Sequence, residues 1–97
     1  MTEQAWILAV EDDPTNLLLL RAVLARAVDP RVRGAGITEA RTLQAAQEAV
    51  TTRAYDLILL DVRLPDGNGL DLARALGRRA LAMRPRILIL SASVLTA

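Results

Sequence analysis

The chain has 97 residues, 53% of them hydrophobic, 24% charged, with a formal net charge of +1, which is the size of one small domain with an aliphatic core. All twelve basic residues are arginines scattered along the chain, and Trp6 and Tyr55 are the only aromatics, so neither a basic stripe nor base-stacking platforms for nucleic acid are present. Without cysteine or histidine the chain has no disulfide, thiolate zinc site, imidazole ligand or phosphohistidine of its own.

Residues 5–10 form the first predicted strand. Its apolar run is unbroken, as in strands buried on both faces of a parallel sheet. It leads into Glu11, Asp12 and Asp13. Asp13 serves as N-cap of a helix and Pro14 fits its first position, where the missing N–H costs nothing. That helix carries Leu17 to Leu20, Val23, Leu24 and Ala27 and stops at Asp29 and Pro30. Four consecutive leucines make it apolar over more than half its circumference, so it calls for cover on more than one side.

Residues 31–37, with Val32, Ala35 and Ile37, are expected to form a short edge strand weakened by Gly34 and Gly36. Thr38 then caps a second helix with Ala40, Leu43, Ala46 and Val50 at helical spacing, fraying near residues 51–53. The central strand follows: Leu57, Ile58, Leu59 and Leu60 run straight into Asp61.

Leu64-Pro65-Asp66-Gly67 has Pro second and Gly fourth, the pattern of a type I turn. A third helix is expected from about Asn68 to Met83, weakened at Gly77. Residues 86–91 form a further buried strand ending in Ser91. Strands alternating with helices require a parallel sheet with right-handed crossovers. There are no repeats or linkers, so residues 1–97 are expected to form a single domain.

Each strong strand ends in a polar group: Glu11 and Asp12, then Asp61, then Ser91. In a parallel sheet these ends share one edge, the edge where open α/β folds bind ligands. Converging carboxylates resist joint ionisation and call for a proton or a cation. Oxygen-only ligands at a wet edge suit Mg2+. A carboxylate there can act as a nucleophile toward phosphorus, giving an aspartyl phosphate, and Ser91 can hydrogen-bond the attached group. Each piece alone has a plainer reading. Glu11, Asp12 and Asp13 serve as helix-capping and dipole acids, Asp61 as a turn acid, Ser91 as a structural hydroxyl. Their conjunction on one edge favours the site.

The residues from Ile7 to Asn16, the block Leu57–Gly69 and the run from Ile87 to Ala92 together resemble the receiver domain of bacterial response regulators. The resemblance implies a flavodoxin-like, CheY-like doubly wound parallel sheet. Its strand order here is 2-1-3-4, with the family's fifth strand and last helix absent from the sequence. It implies Asp61 as phosphoacceptor for a partner histidine kinase or phosphotransfer domain. Mg2+ would be held by Asp12, Asp61 and the Arg63 backbone carbonyl, with Glu11 acting largely through a metal-bound water. Ser91 would follow the phosphoryl group and turn its arrival into a shape change. The family also places a lysine on its fifth strand to pair with the phosphoryl group; this chain has no lysine, and Arg86 lies at the wrong end of its strand to replace it. The chain is therefore expected to be a C-terminally truncated receiver domain. Its fourth strand would present an apolar edge that favours self-association or exchange of elements.

Three other readings compete. A phosphorylation-independent interaction module keeps the fold and is favoured by the missing lysine. An aspartyl-phosphate hydrolase needs an acid two residues after the nucleophile, where this chain has Arg63. A flavin-binding module is disfavoured because acids after the first strand repel phosphate. Residues 1–4 and the six apolar residues after them do not make a secretion signal, and no run approaches the ~20 apolar residues that span a bilayer. The expected location is the cytoplasm.

Overall fold

A computed structural model describes residues 4–79 and 85–90. Four parallel strands form the main sheet: β1 (Trp6–Val10), β2 (Gly36–Ala40), β3 (Leu57–Asp61) and a last strand, β6 (Arg86–Leu90), in the order β2-β1-β3-β6. Counting only these strands, the order is the expected 2-1-3-4. A separate two-stranded hairpin joins β4 (Arg63–Leu64) to β5 (Gly67–Asn68). The helices are α1 (Pro14–Ala25), the single turn α2 (Pro30–Arg33), α3 (Leu43–Thr52) and α4 (Leu70–Gly77).

The unbroken apolar runs in β1 and β3 are explained by helices on both faces. On one face, Leu8, Val10, Ile58 and Leu60 pack with Leu43 and Ala46 of α3 and Leu72 and Leu76 of α4. On the other, Ile7, Ala9 and Leu59 pack with Leu17, Leu20 and Leu24 of α1. Burying each such aliphatic side chain contributes about 1.5–3 kcal/mol, and β1 and β3 do so on both sides. The remaining leucines of α1 are not covered among the described residues: Leu18 is 70% and Leu19 45% exposed.

Two elements differ from the sequence reading. The segment expected as an edge strand over 31–37 begins instead with α2. Asp29 Oδ1 accepts from the Arg31 N–H at 2.8 Å, and Pro30 is pre-set for a helical first position. The strand is displaced to Gly36–Ala40, so Thr38 lies inside β2 and does not cap a helix. The N-cap of α3 is Thr42, whose Oγ1 accepts from the Ala45 N–H at 3.0 Å. Thr38 and Thr42 are four residues apart and share one helical face, so spacing alone did not choose between them.

Among the described residues α4 ends at Gly77, short of the expected Met83, which lies outside them. The turn at residues 64–67 is present. Asp66 has a negative φ, which excludes types II and I′ and agrees with type I.

Trp6 anchors the amino end of β1. Its main-chain N–H donates to Asp56 Oδ2 at 2.8 Å, and the Arg53 guanidinium lies 3.5 Å over its ring centroid. The ring occupies the space that a side chain on Gly36 would need.

Candidate functional site

Register places the acids. Val10 of β1 pairs with Leu60 of β3, so the next residues, Glu11 and Asp61, emerge side by side at the carboxyl edge. Asp12 follows on the loop into α1. One carboxylate oxygen from each of Glu11, Asp12 and Asp61 lies within 4.8 Å of the others. Glu11 and Asp61 are buried, 3% and 5% exposed, whereas Asp12 is open to solvent.

The protein holds this cluster from behind. Glu11 N donates to Ala40 O at 3.0 Å, tying the end of β1 to the end of β2. Glu11 Oε1 accepts from the Asp13 N–H at 3.1 Å and from Asn16 Nδ2 at 3.4 Å. Asp13 caps α1 by accepting from the Thr15 N–H at 2.8 Å, which fixes the loop that carries Asp12. Arg41 Nη2 donates to the Asp12 carbonyl at 3.2 Å. Asp61 Oδ1 accepts from the Arg63 N–H at 3.2 Å.

Among the described residues no salt bridge reaches the three carboxylates; the nearby Arg41 guanidinium bonds the Asp12 main chain instead. Burial pushes the Glu11 carboxyl above its ordinary value; the charges of Asp61 and Asp12 push the same way, against the hydrogen bonds from Asp13 and Asn16. The salt bridges at described residues, Arg21–Glu39 and Arg74–Asp71, lie elsewhere. Three carboxylate oxygen donors, two of them from buried residues, fit a hard divalent cation such as Mg2+ better than a soft or nitrogen-seeking metal. A cavity of about 750 Å3 lies at the opposite end of the sheet, lined by Arg31, Arg53, Tyr55 and Arg86 among others. Its lining includes Asp29 and Asp56 but none of Glu11, Asp12 and Asp61.

Of the residues expected from sequence, Glu11, Asp12 and Asp61 are brought together. Arg63 opens β4, two residues after Asp61. Ser91 falls outside the described residues; its predecessor Leu90 is the register partner of Asp61. Two side-chain contacts escaped the sequence reading. Asn16 reaches back to Glu11 from the first turn of α1, for which the signal was an amide five residues after the acid. Asp66 accepts from the N–H groups of Leu43 and Gln44, at 2.7 and 2.9 Å, and no local pattern announces a bond across that separation.

Comparison with known proteins agrees with this geometry. Residues 7–96 match the family model described as the response regulator receiver domain. The chain is 40% identical over 73 residues to the aerobic respiration control sensor protein ArcB of Escherichia coli K12, which covers 75% of this chain and 9% of ArcB. Among solved structures, the MaeR response regulator bound to beryllium trifluoride superposes with a TM-score of 0.77 at 30% identity, covering 92% of this chain and 68% of that one. The non-phosphorylated HemR receiver domain of Leptospira biflexa gives 0.73 at 32% identity, covering 92% and 65%. The chain thus spans under a tenth of ArcB and about two-thirds of these solved chains. Its sheet order, its carboxyl-edge acids and the match over residues 7–96 make it a member of the response regulator receiver-domain family of two-component systems.

Proposed function

We propose that Asp61 is a phosphoacceptor, taking a phosphoryl group from the phosphohistidine of a partner histidine kinase or phosphotransfer domain. The observation that carries this reading is the convergence of the Glu11, Asp12 and Asp61 carboxylates at the carboxyl edge. An Asp61 carboxylate oxygen attacks phosphorus, the new O–P bond forming as the partner's N–P bond breaks, and the imidazole leaves with the bonding electron pair.

Asp12, Asp61 and the Arg63 carbonyl would hold Mg2+, with Glu11 behind them. When bound, the ion neutralises charge on the transferring oxygens. The chain's own residues orient the acceptor: the Arg63 N–H holds Asp61 Oδ1, and Asn16 and the Asp13 N–H hold Glu11. Ser91, following the register partner of Asp61, hydrogen-bonds the attached phosphoryl group. With Arg63 two residues after Asp61, the site lacks a general acid for rapid hydrolysis, so the chain acts as a signalling acceptor with at most slow self-dephosphorylation. Residues 1–97 work as one receiver unit, in the cytoplasm where kinase partners present their phosphohistidine.

A second reading, a phosphorylation-independent interaction module, is favoured by one observation: every basic residue is arginine, and the chain has no lysine. Incubation with Mg2+ and acetyl phosphate, followed by intact-mass measurement, separates the two. The proposal expects the mass of one added phosphoryl group, lost in Asp61→Asn. No added mass together with no Mg2+ binding would leave the interaction module standing.

A further inference from the structure

Asp66 lies at the tip of the β4–β5 hairpin, five residues beyond Asp61, yet its carboxylate works on another element. Oδ1 accepts from the Leu43 N–H at 2.7 Å and Oδ2 from the Gln44 N–H at 2.9 Å. These are the first two residues of α3, whose opening N–H groups have no partner within the helix. Thr42 Oγ1 takes the third, from Ala45, at 3.0 Å. Two caps from two parts of the chain therefore divide the helix start between them. The bonds to Gln44 and Leu43 hold the Asp66 carboxyl below its ordinary pKa, so the anion is the bound form.

The hairpin itself has two residues in each strand, too few to be stable alone. Its base is fixed by three contacts. Arg63 N donates to Asp61 Oδ1 at 3.2 Å, Gly69 N donates to Val62 O at 2.8 Å, and Leu64 is buried in the same core cluster as Leu43. Its tip is fixed by Asp66. The main chain of Arg63 runs between these two anchorages, next to the acceptor.

We propose that Asp66 is a positioning residue for the metal site: by latching the hairpin tip to the start of α3, it holds the Arg63 main chain at Asp61 in the arrangement that binds the divalent cation. The inference rests on the reading of Asp61 as an Mg2+-dependent acceptor and deepens it, because it assigns part of the metal affinity to a residue that does not touch the metal. Partners behind a metal ligand commonly change affinity by about 10–100-fold when removed.

The test is a calorimetric Mg2+ titration of the full chain as wild type, Asp66→Ala, Asp66→Asn and Thr42→Ala. Thr42→Ala removes a cap from the same helix end without touching the hairpin, and so controls for weakening of α3 alone. We expect Mg2+ to bind about tenfold more weakly to Asp66→Ala, less weakly to Asp66→Asn, which keeps one acceptor oxygen, and with wild-type affinity to Thr42→Ala. Asp66→Asn preserves the side-chain shape and carries the test if Asp66→Ala does not fold. Unchanged affinity in the Asp66 variants, or an equal loss in Asp66→Ala and Thr42→Ala, overturns the inference. A wild-type chain that binds no Mg2+ overturns the acceptor reading as well, so the two failures are distinct.

Discussion

Gly69 lies so close to Asp61 that a side-chain carbon on it would overlap the Asp61 carbonyl oxygen and stand 3.0 Å from Leu60 Cδ1. Its φ of −58° is ordinary for any residue, so what the position demands is space. The obstacle is main chain at the end of β3, which cannot rotate aside as a side chain would. Gly69→Ala is expected to destabilise the protein by about 1–3 kcal/mol and to displace Asp61. Urea unfolding measures the first effect and acetyl phosphate labelling the second. An alanine variant with wild-type stability would show that the loop after β3 moves freely.

Removing one charge from the cluster should stabilise the metal-free fold. In Asp61→Asn, Glu11 and Asp12 lose a close like charge while the side-chain shape is kept. A gain of about 1 kcal/mol corresponds to a rise in Tm of about 4–8 °C for a domain of this size. Calorimetry in EDTA should show that rise in the same variant that takes no phosphate. A lower Tm would mean that the three acids are already balanced by something other than a bound ion.

Glu11 predicts a pH dependence with a definite sign. Its carboxyl is raised above 4.5 in the folded protein, chiefly by burial. Between 4.5 and the raised value, the folded chain keeps a proton that the unfolded chain has released. Stability therefore falls as pH rises through that window and recovers as pH falls back toward 4.5. Asp66, whose carboxyl is lowered, gives stability that is present above 3.8 and lost below it, outside this window. Urea midpoints in metal-free buffer should rise on mild acidification, and Glu11→Gln should flatten the curve. An unchanged slope in that variant would assign the dependence to another group.

Mg2+ should reverse the same penalty. At a free concentration 100 times its Kd, the ion adds about 2.7 kcal/mol to the unfolding free energy if it binds only the folded chain. Asp12→Ala should abolish most of that gain, because Asp12 is the solvent-facing member of the trio. Thermal shift with and without Mg2+ checks both statements, and an equal shift in Asp12→Ala would remove Asp12 from the ligand set.

At the sheet's other side, β6 pairs only with β3 among the described residues, and its Leu88 and Ile89 are 53% and 46% exposed. An apolar strand open along one edge invites pairing with a second chain. Sedimentation velocity should show concentration-dependent association, which the double variant Leu88→Lys, Ile89→Lys shifts toward monomer. A wild-type chain that stays monomeric at every accessible concentration would sink this expectation.

The sequence spoke most clearly where one interaction dominates. The runs Ile7 to Val10 and Leu57 to Leu60 demanded a sheet covered on both faces, and the acids ending them marked the edge where the carboxylates converge. It spoke least where short-range rules compete. Asp29-Pro30 starts a helical turn as readily as it ends a helix, and that turn moved β2 from the expected segment to Gly36–Ala40. Thr38 and Thr42 are equivalent as caps until the strand is known. The bond from the Leu43 N–H to Asp66 was illegible for a different reason: it depends on how the hairpin is placed against the start of α3, which only the assembled sheet decides.

Trp6 supplies a practical consequence. It is the single indole in the chain, its ring set between Arg53 and Gly36 and its main-chain N–H bound to Asp56 at the amino end of β1. The acids lie beyond the strand's other end, about 13 Å or more away at 3.3 Å per residue. Its emission should therefore respond when β1 and β2 part, and stay silent when an ion or a phosphoryl group arrives at Asp61. Trp6 should then gauge the fold and not the state of the site, whose occupancy is better followed by heat, by mass or by a fluorophore planted on the far edge.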